Sequence, residues 1–158
     1  MKKRYIAAVA CAVAAAVAVA AALFWPRTEG GDAISIDAAD LGRGERLYAE
    51  TCASCHGARL EGMPNWRQPG PDGVLPAPPH DRSGHTWHHG DGYLFDYTKY
   101  GGQAVLKQLG ISGVRSGMPG FEGKLSDAEI RDVLAWIKST WPEDIRQSQK
   151  AQTAAERQ

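Results

Sequence analysis

The sequence predicts an all-α domain behind an N-terminal apolar helix, and three segments carry that prediction. From about Ala39 to Ser54, Leu47, Tyr48, Thr51 and Cys52 recur at three- and four-residue spacing, the period of one helix face. Ser126-Asp127-Ala128-Glu129 is a capping box. It opens a helix in which Ile130, Val133, Leu134 and Ile137 make one apolar stripe, ended near Trp141-Pro142. Between the two, Asp91 to Tyr100 reads as a short helix closed by Gly101-Gly102. The stripes are core: they hold the domain together and do no chemistry.

Ahead of these elements, Met1-Lys2-Lys3-Arg4 precedes an apolar run from Tyr5 to Trp25 with no charged side chain. As a helix its 21 residues span about 31 Å at 1.5 Å per residue, enough for the hydrocarbon core of a bilayer. Basic residues stay on the cytoplasmic side, so the chain after Pro26 is expected across the inner membrane. Two readings remain open. An uncleaved single-pass anchor explains the full length and the interfacial Leu23-Phe24-Trp25, whereas a signal peptide cut after Ala20 or Ala22 leaves a soluble periplasmic protein. Cys11 reads as a small membrane-embedded residue. The organisation that follows is an anchor or signal at 1–26, a linker at 27–38, a folded domain at 39–142 and a flexible tail at 143–158, disordered or a frayed helix extension because apolar periodicity is lacking.

Charge narrows the function. The chain has 18 basic and 18 acidic residues. Without Lys2, Lys3 and Arg4 the remainder carries 18 − 3 = 15 basic against 18 acidic, a net charge of −3. Nucleic-acid binding, which needs a basic face, is disfavoured. The 132 residues after position 26 allow one modest domain, and 18 Gly and 9 Pro make much of it loop.

The chemistry lies in Thr51-Cys52-Ala53-Ser54-Cys55-His56-Gly57. Cys-x-x-Cys-His is the covalent attachment site of c-type haem. Two thiols two residues apart can each add to a vinyl group on one haem edge, and the adjacent histidine then ligates the iron. A dithiol redox motif would need a strand before it, where a helical pattern stands. A zinc site would need further thiol ligands, and no other cysteine follows position 26. The sixth iron ligand must come from elsewhere. Met63 is seven residues from His56, too near to reach the opposite haem face easily. Met118, 62 residues downstream in Ser116-Gly117-Met118-Pro119-Gly120-Phe121, is favoured, with a downstream histidine as its competitor. A His/Met pair raises the reduction potential and leaves no room for substrate.

On these residues the chain resembles the class I monohaem cytochromes c, mitochondrial-like and bacterial, over about residues 39 to 142. Gly44 and Tyr48 stand where that family places a small residue and an aromatic on the first helix, and Val133 and Trp136 look like their partners on the last. The resemblance implies three to five helices wrapped around one covalent haem c. It also implies a proline carbonyl that accepts the His56 Nδ1 proton, for which Pro64 is the expected donor of the carbonyl.

The middle of the chain is harder to assign. Leu60 to His80 is rich in Pro and Gly, and Trp66 and Trp87 are candidates for packing on the haem, with Trp87 and Arg82 as possible propionate contacts. Four histidines, His80, His85, His88 and His89, fall within ten residues. Their density raises a second metal, copper or zinc, against the plainer reading of a polar loop over the haem edge.

The expected function is that of an exported, membrane-tethered electron carrier, not an enzyme, passing single electrons between partner proteins of a respiratory chain. A haem enzyme or gas sensor with a displaceable sixth ligand, and a copper-binding module built on the histidines, are the alternatives.

Overall fold

A computed structural model describes residues 33–156. The anchor or signal at 1–26 lies outside the described residues. Among those described, no helix is long and apolar enough to cross a membrane.

The first helix, α1 (Leu41–Thr51), begins where the Asp40 carboxylate accepts a hydrogen bond from Arg43 N at 2.9 Å. The chain turns at Cys52, and α2 (Ala53–His56) carries the rest of the Cys-x-x-Cys-His motif. The expected helix from 39 to 54 is therefore two pieces. A long loop from 57 to 85 follows and ends in a single 3₁₀ turn, Thr86–His88. Next come α3 (Asp91–Tyr100) and α4 (Gly102–Gln108), then a second loop, α5 (Asp127–Ser139) and α6 (Glu143–Ala155). The described residues form no strand; one isolated bridge joins Leu75 to Ser116. The all-α expectation holds, with six α-helices among the described residues, one of them a single turn, where three to five were expected.

Gly101 separates α3 from α4 at φ +88°, a left-handed conformation that glycine adopts without strain. Its missing side chain also matters, because a Cβ there would lie 2.7 Å from Gly120 N. The loop that carries Met118 is thus seated against the α3–α4 junction.

The capping box forms as expected: Ser126 Oγ accepts from Glu129 N, and the Glu129 carboxylate accepts from Ser126 N at 2.8 Å. Helices α1 and α5 cross at Gly44, where a Cβ would stand 2.2 Å from Asp132 O and 3.0 Å from Trp136 Cβ. One turn on, the rings of Tyr48 and Trp136 lie 4.8 Å apart, and Tyr48 packs in one cluster with Val133, Leu60, Ile137, Trp141 and Ile145. A second cluster joins Ile34, Leu94, Phe95, Ile130, Leu134 and Ala135. The stripe of α5 feeds both: Ile130 and Leu134 face one, Val133 and Ile137 the other.

The expected flexible tail at 143–158 is corrected over most of its length. Residues 143–155 are the helix α6, which buries Ile145, Gln149 and Thr153. Its buried face is largely polar because it meets a polar partner. Asp91, 2 % exposed, accepts from Lys138 Nζ at 2.7 and 2.8 Å, from Ile34 N at 2.8 Å and from Gln149 Nε2 at 2.8 Å. Thr153 Oγ1 accepts from Asp91 N at 3.1 Å. At the helix end, the Glu156 carboxylate accepts from Gly92 N and Tyr93 N at 3.1 and 3.3 Å. It caps α3, whose own N-cap, Gly90, has no side chain to offer.

Candidate functional site

The site is built where α1 ends. Cys52, partly buried, and Cys55, exposed, are free thiols. Burial pushes the Cys52 thiol up, opposed in part by the hydrogen bond with Thr51 Oγ1 at 3.3 Å. Two residues of helical turn separate the thiols, and His56 N donates back to Cys52 O at 3.0 Å. Tyr48, from the helix crossing, donates its hydroxyl to Gly57 O at 2.8 Å. This bond adds to the packing of Cys52 and Ala53 against the same core in joining the attachment motif to the α1–α5 crossing.

His56 is 6 % exposed. Its Nδ1 lies 2.9 Å from Pro78 O. A carbonyl only accepts, so Nδ1 carries the proton and Nε2 keeps its lone pair. Burial lowers the His56 pKa, partly countered by the bond to Pro78, which favours the neutral imidazole that a metal ligand must be. The expected acceptor was Pro64; that choice is corrected, because Pro64 is exposed and Pro78 holds the ring. Pro64 is nearer in sequence, but the chain from 62 to 77 leaves and returns. Gly62 N donates to His56 O at 2.7 Å and Met63 N to Ala77 O at 2.8 Å, which lays Pro78 beside the histidine.

Those same bonds place Met63 in the loop that holds His56, with 48 % of its surface exposed. Met118 lies on the other loop. Its backbone oxygen accepts from Gly102 N at 3.1 Å, and its N–H donates to Ser116 Oγ at 3.3 Å. Ser116 Oγ also meets Tyr97 Oη at 2.9 Å, so α3 and α4 together fix the Met118 backbone.

The four clustered histidines are dealt to different neighbours. His80 stacks on His56, ring centroids 4.0 Å apart. His85 stacks on Trp66 at 5.0 Å and meets His89 edge-on at 5.4 Å. His88, exposed, stacks on Trp87 at 3.7 Å, and His89 on Tyr93 at 4.3 Å. Among the described residues no three His, Cys, Asp or Glu side chains are grouped to hold a metal ion. Arg82 is exposed. Trp87 packs against the cluster of Cys52 and Trp141, yet its Nε1, like His85 Nδ1, is buried without a hydrogen-bond partner.

The donor set fits haem c. Two unpaired thiols at the required spacing, a neutral imidazole with Nε2 unspent, and buried N–H and ring-nitrogen groups awaiting acceptors or donors are what a porphyrin with vinyl and carboxylate edges would satisfy. Sequence reasoning missed Pro78 and the Tyr48–Gly57 bond. The cue for the first was Pro76-Ala77-Pro78-Pro79, a rigid run able to present a carbonyl.

Comparison with known proteins points the same way. A family model described as cytochrome c matches residues 41–141. The chain is 28% identical over 100 residues to cytochrome c6 of Synechocystis sp.; the match covers 63% of this chain and 65% of that protein. No solved structure matches.

Proposed function

This chain belongs to the cytochrome c family and carries covalent haem c, and from that premise we propose that it transfers single electrons between redox partner proteins, with His56 and Met118 as the axial ligands of the iron. The observation that supports the reading most is the His56 Nδ1–Pro78 O bond beside two free thiols, which orients one imidazole nitrogen and leaves the other for metal. Haem c, when bound, supplies an iron that alternates between ferric and ferrous without transfer of an atom. The protein's residues do the rest. Cys52 and Cys55 hold the group by thioethers. Pro78 fixes the orientation and basicity of His56. The Met118 loop, its backbone tied to Gly102 and Ser116, would supply a soft thioether ligand, which favours the ferrous state. Trp87 Nε1, buried and unpartnered, is the donor we assign to a propionate; Arg82, exposed nearby in sequence, is a weaker partner for the same group.

The segment at 1–26 would export the domain and, uncleaved, tether it to the membrane, raising its effective concentration near membrane-bound partners. Placement across the inner membrane agrees with the covalent haem and with the basic residues that precede the apolar run. The test is spectroscopic. Met118→Ala should abolish the far-red methionine–ferric charge-transfer band, while Met63→Ala should keep it. Persistence of the band in Met118→Ala would remove the ligand assignment.

A further inference from the structure

His80 was a candidate for a second metal or for the sixth ligand, and its geometry suits neither. Trans ligands of one iron lie end to end across it, whereas the His80 and His56 rings lie face to face, 4.0 Å apart and 20° from parallel. His80 is instead held at its backbone N–H, its carbonyl and its ring Nδ1. Its N–H donates to Leu60 O at 2.8 Å, and its carbonyl accepts from Trp141 Nε1 at 2.6 Å. Leu60 and Trp141 are core residues, 5 % and 2 % exposed. The ring Nδ1 meets Thr86 Oγ1 at 2.7 Å, and the Thr86 hydroxyl in turn donates to Pro79 O at 3.4 Å. A hydroxyl that donates to Pro79 accepts from His80, so His80, like His56, carries its proton on Nδ1. Tyr48 stands edge-on to the ring at 6.3 Å.

The segment Pro78-Pro79-His80 thus meets His56 twice. Pro78 takes its Nδ1 proton, and His80 covers its face. A single hydrogen bond leaves an imidazole free to rock about the Nδ1···O line; a second ring packed on its face removes that motion. We propose that His80 is a positioning residue for the iron ligand: its stacked ring, locked by Thr86 and Trp141, sets the plane of the His56 imidazole about the iron–nitrogen axis. This inference rests on the reading of His56 as ligand. Groups that orient a ligand tune the metal it holds. The plane of an axial imidazole splits the orbitals of low-spin ferric iron, so paramagnetic spectra report it directly.

The experiment compares holo-protein of His80→Leu, which fills the volume without a π face, with His80→Phe, which keeps a stacking face and loses the hydrogen bond. The readouts are the spread of haem-methyl proton shifts and the g-anisotropy of the ferric protein, with helical circular dichroism and thermal midpoint as the check on folding. The expected result is a changed methyl spread and g-anisotropy in His80→Leu and near-native values in His80→Phe. Native spectra in a folded His80→Leu protein would overturn the proposal, and so would equal changes in both variants, which would assign the effect to the hydrogen bond. If His80→Leu does not fold, His80→Met, which also fills the volume without a π face, takes its place with the same expectation. A wild-type ferric spectrum that is not low-spin would instead refute the ligand reading, before any variant is compared.

Discussion

Gly44 shows how narrowly the helix crossing is specified. An alanine there gains about 1 kcal/mol in helix propensity. Its Cβ, however, would fall 2.2 Å from Asp132 O, a backbone atom that cannot swing aside. Overpacking of that kind costs about 1–3 kcal/mol, so Gly44→Ala is expected to destabilise the domain by about 1 kcal/mol net, read as a lower urea midpoint. A second residue-scale prediction concerns acid. Burial, with His85 and His88 nearby, brings the His89 pKa down to about 4. An unfolded histidine titrates near 6.5. Between those values the unfolded chain binds a proton that the folded one refuses, so stability falls as pH drops from about 6.5 to about 4 and this contribution levels off below. His89 faces His85 and Tyr93, and its carbonyl accepts from Gln149 on α6. Replacing it with Gln should make the stability–pH curve shallower across that window, checked by denaturant titration at a series of pH values. At this scale the chemistry was legible where it is covalent: Cys52, Cys55 and His56 are named by their spacing. Pro78 was not, because which of several prolines meets a ring 22 residues away depends on how the loop returns.

Elements were legible in proportion to their apolar pattern. Helix α5 announced itself by its apolar stripe and capping box and α3 by its closing glycines, and the α1–α5 contact was anticipated from the family resemblance at Gly44, Tyr48, Val133 and Trp136. Helix α6 was not, because its buried face reads Ile145, Gln149, Thr153, a spacing of four with one apolar member. Polar side chains are buried there because Asp91 and Lys138 supply partners, and no hydropathy pattern encodes a partner 58 residues away. The network makes two predictions. Lys138→Met strands the Asp91 carboxylate, and breaking a buried pair in this way costs about 3–5 kcal/mol. The double variant Asp91→Asn, Lys138→Met should recover part of that loss, measured by thermal unfolding. Ending the chain at Pro142 removes the Gln149 and Thr153 bonds and the Glu156 cap on α3. The shortened protein is expected to unfold at lower temperature and to lose amide-exchange protection at Gly92 and Tyr93.

At the scale of the whole molecule, zero net charge is a sum over two unequal parts: three basic residues at the N-terminus, and a remainder of net charge −3. Long loops rich in proline and glycine make a poor core by themselves. They are compatible with a stable domain because the apolar helices pack in two clusters and the largest hydrophobic group of the family is a cofactor. One loop holds His56 through the Pro78 carbonyl and the other carries Met118, and the proposal of a carrier with both axial positions filled rests on that division. That claim is tested most directly by the optical spectrum of the reduced mature holo-protein under carbon monoxide. An unchanged low-spin ferrous spectrum is the predicted result. A prompt shift to a carbon monoxide-bound spectrum at neutral pH would contradict it, and would return the protein to the class of haem enzymes and gas sensors.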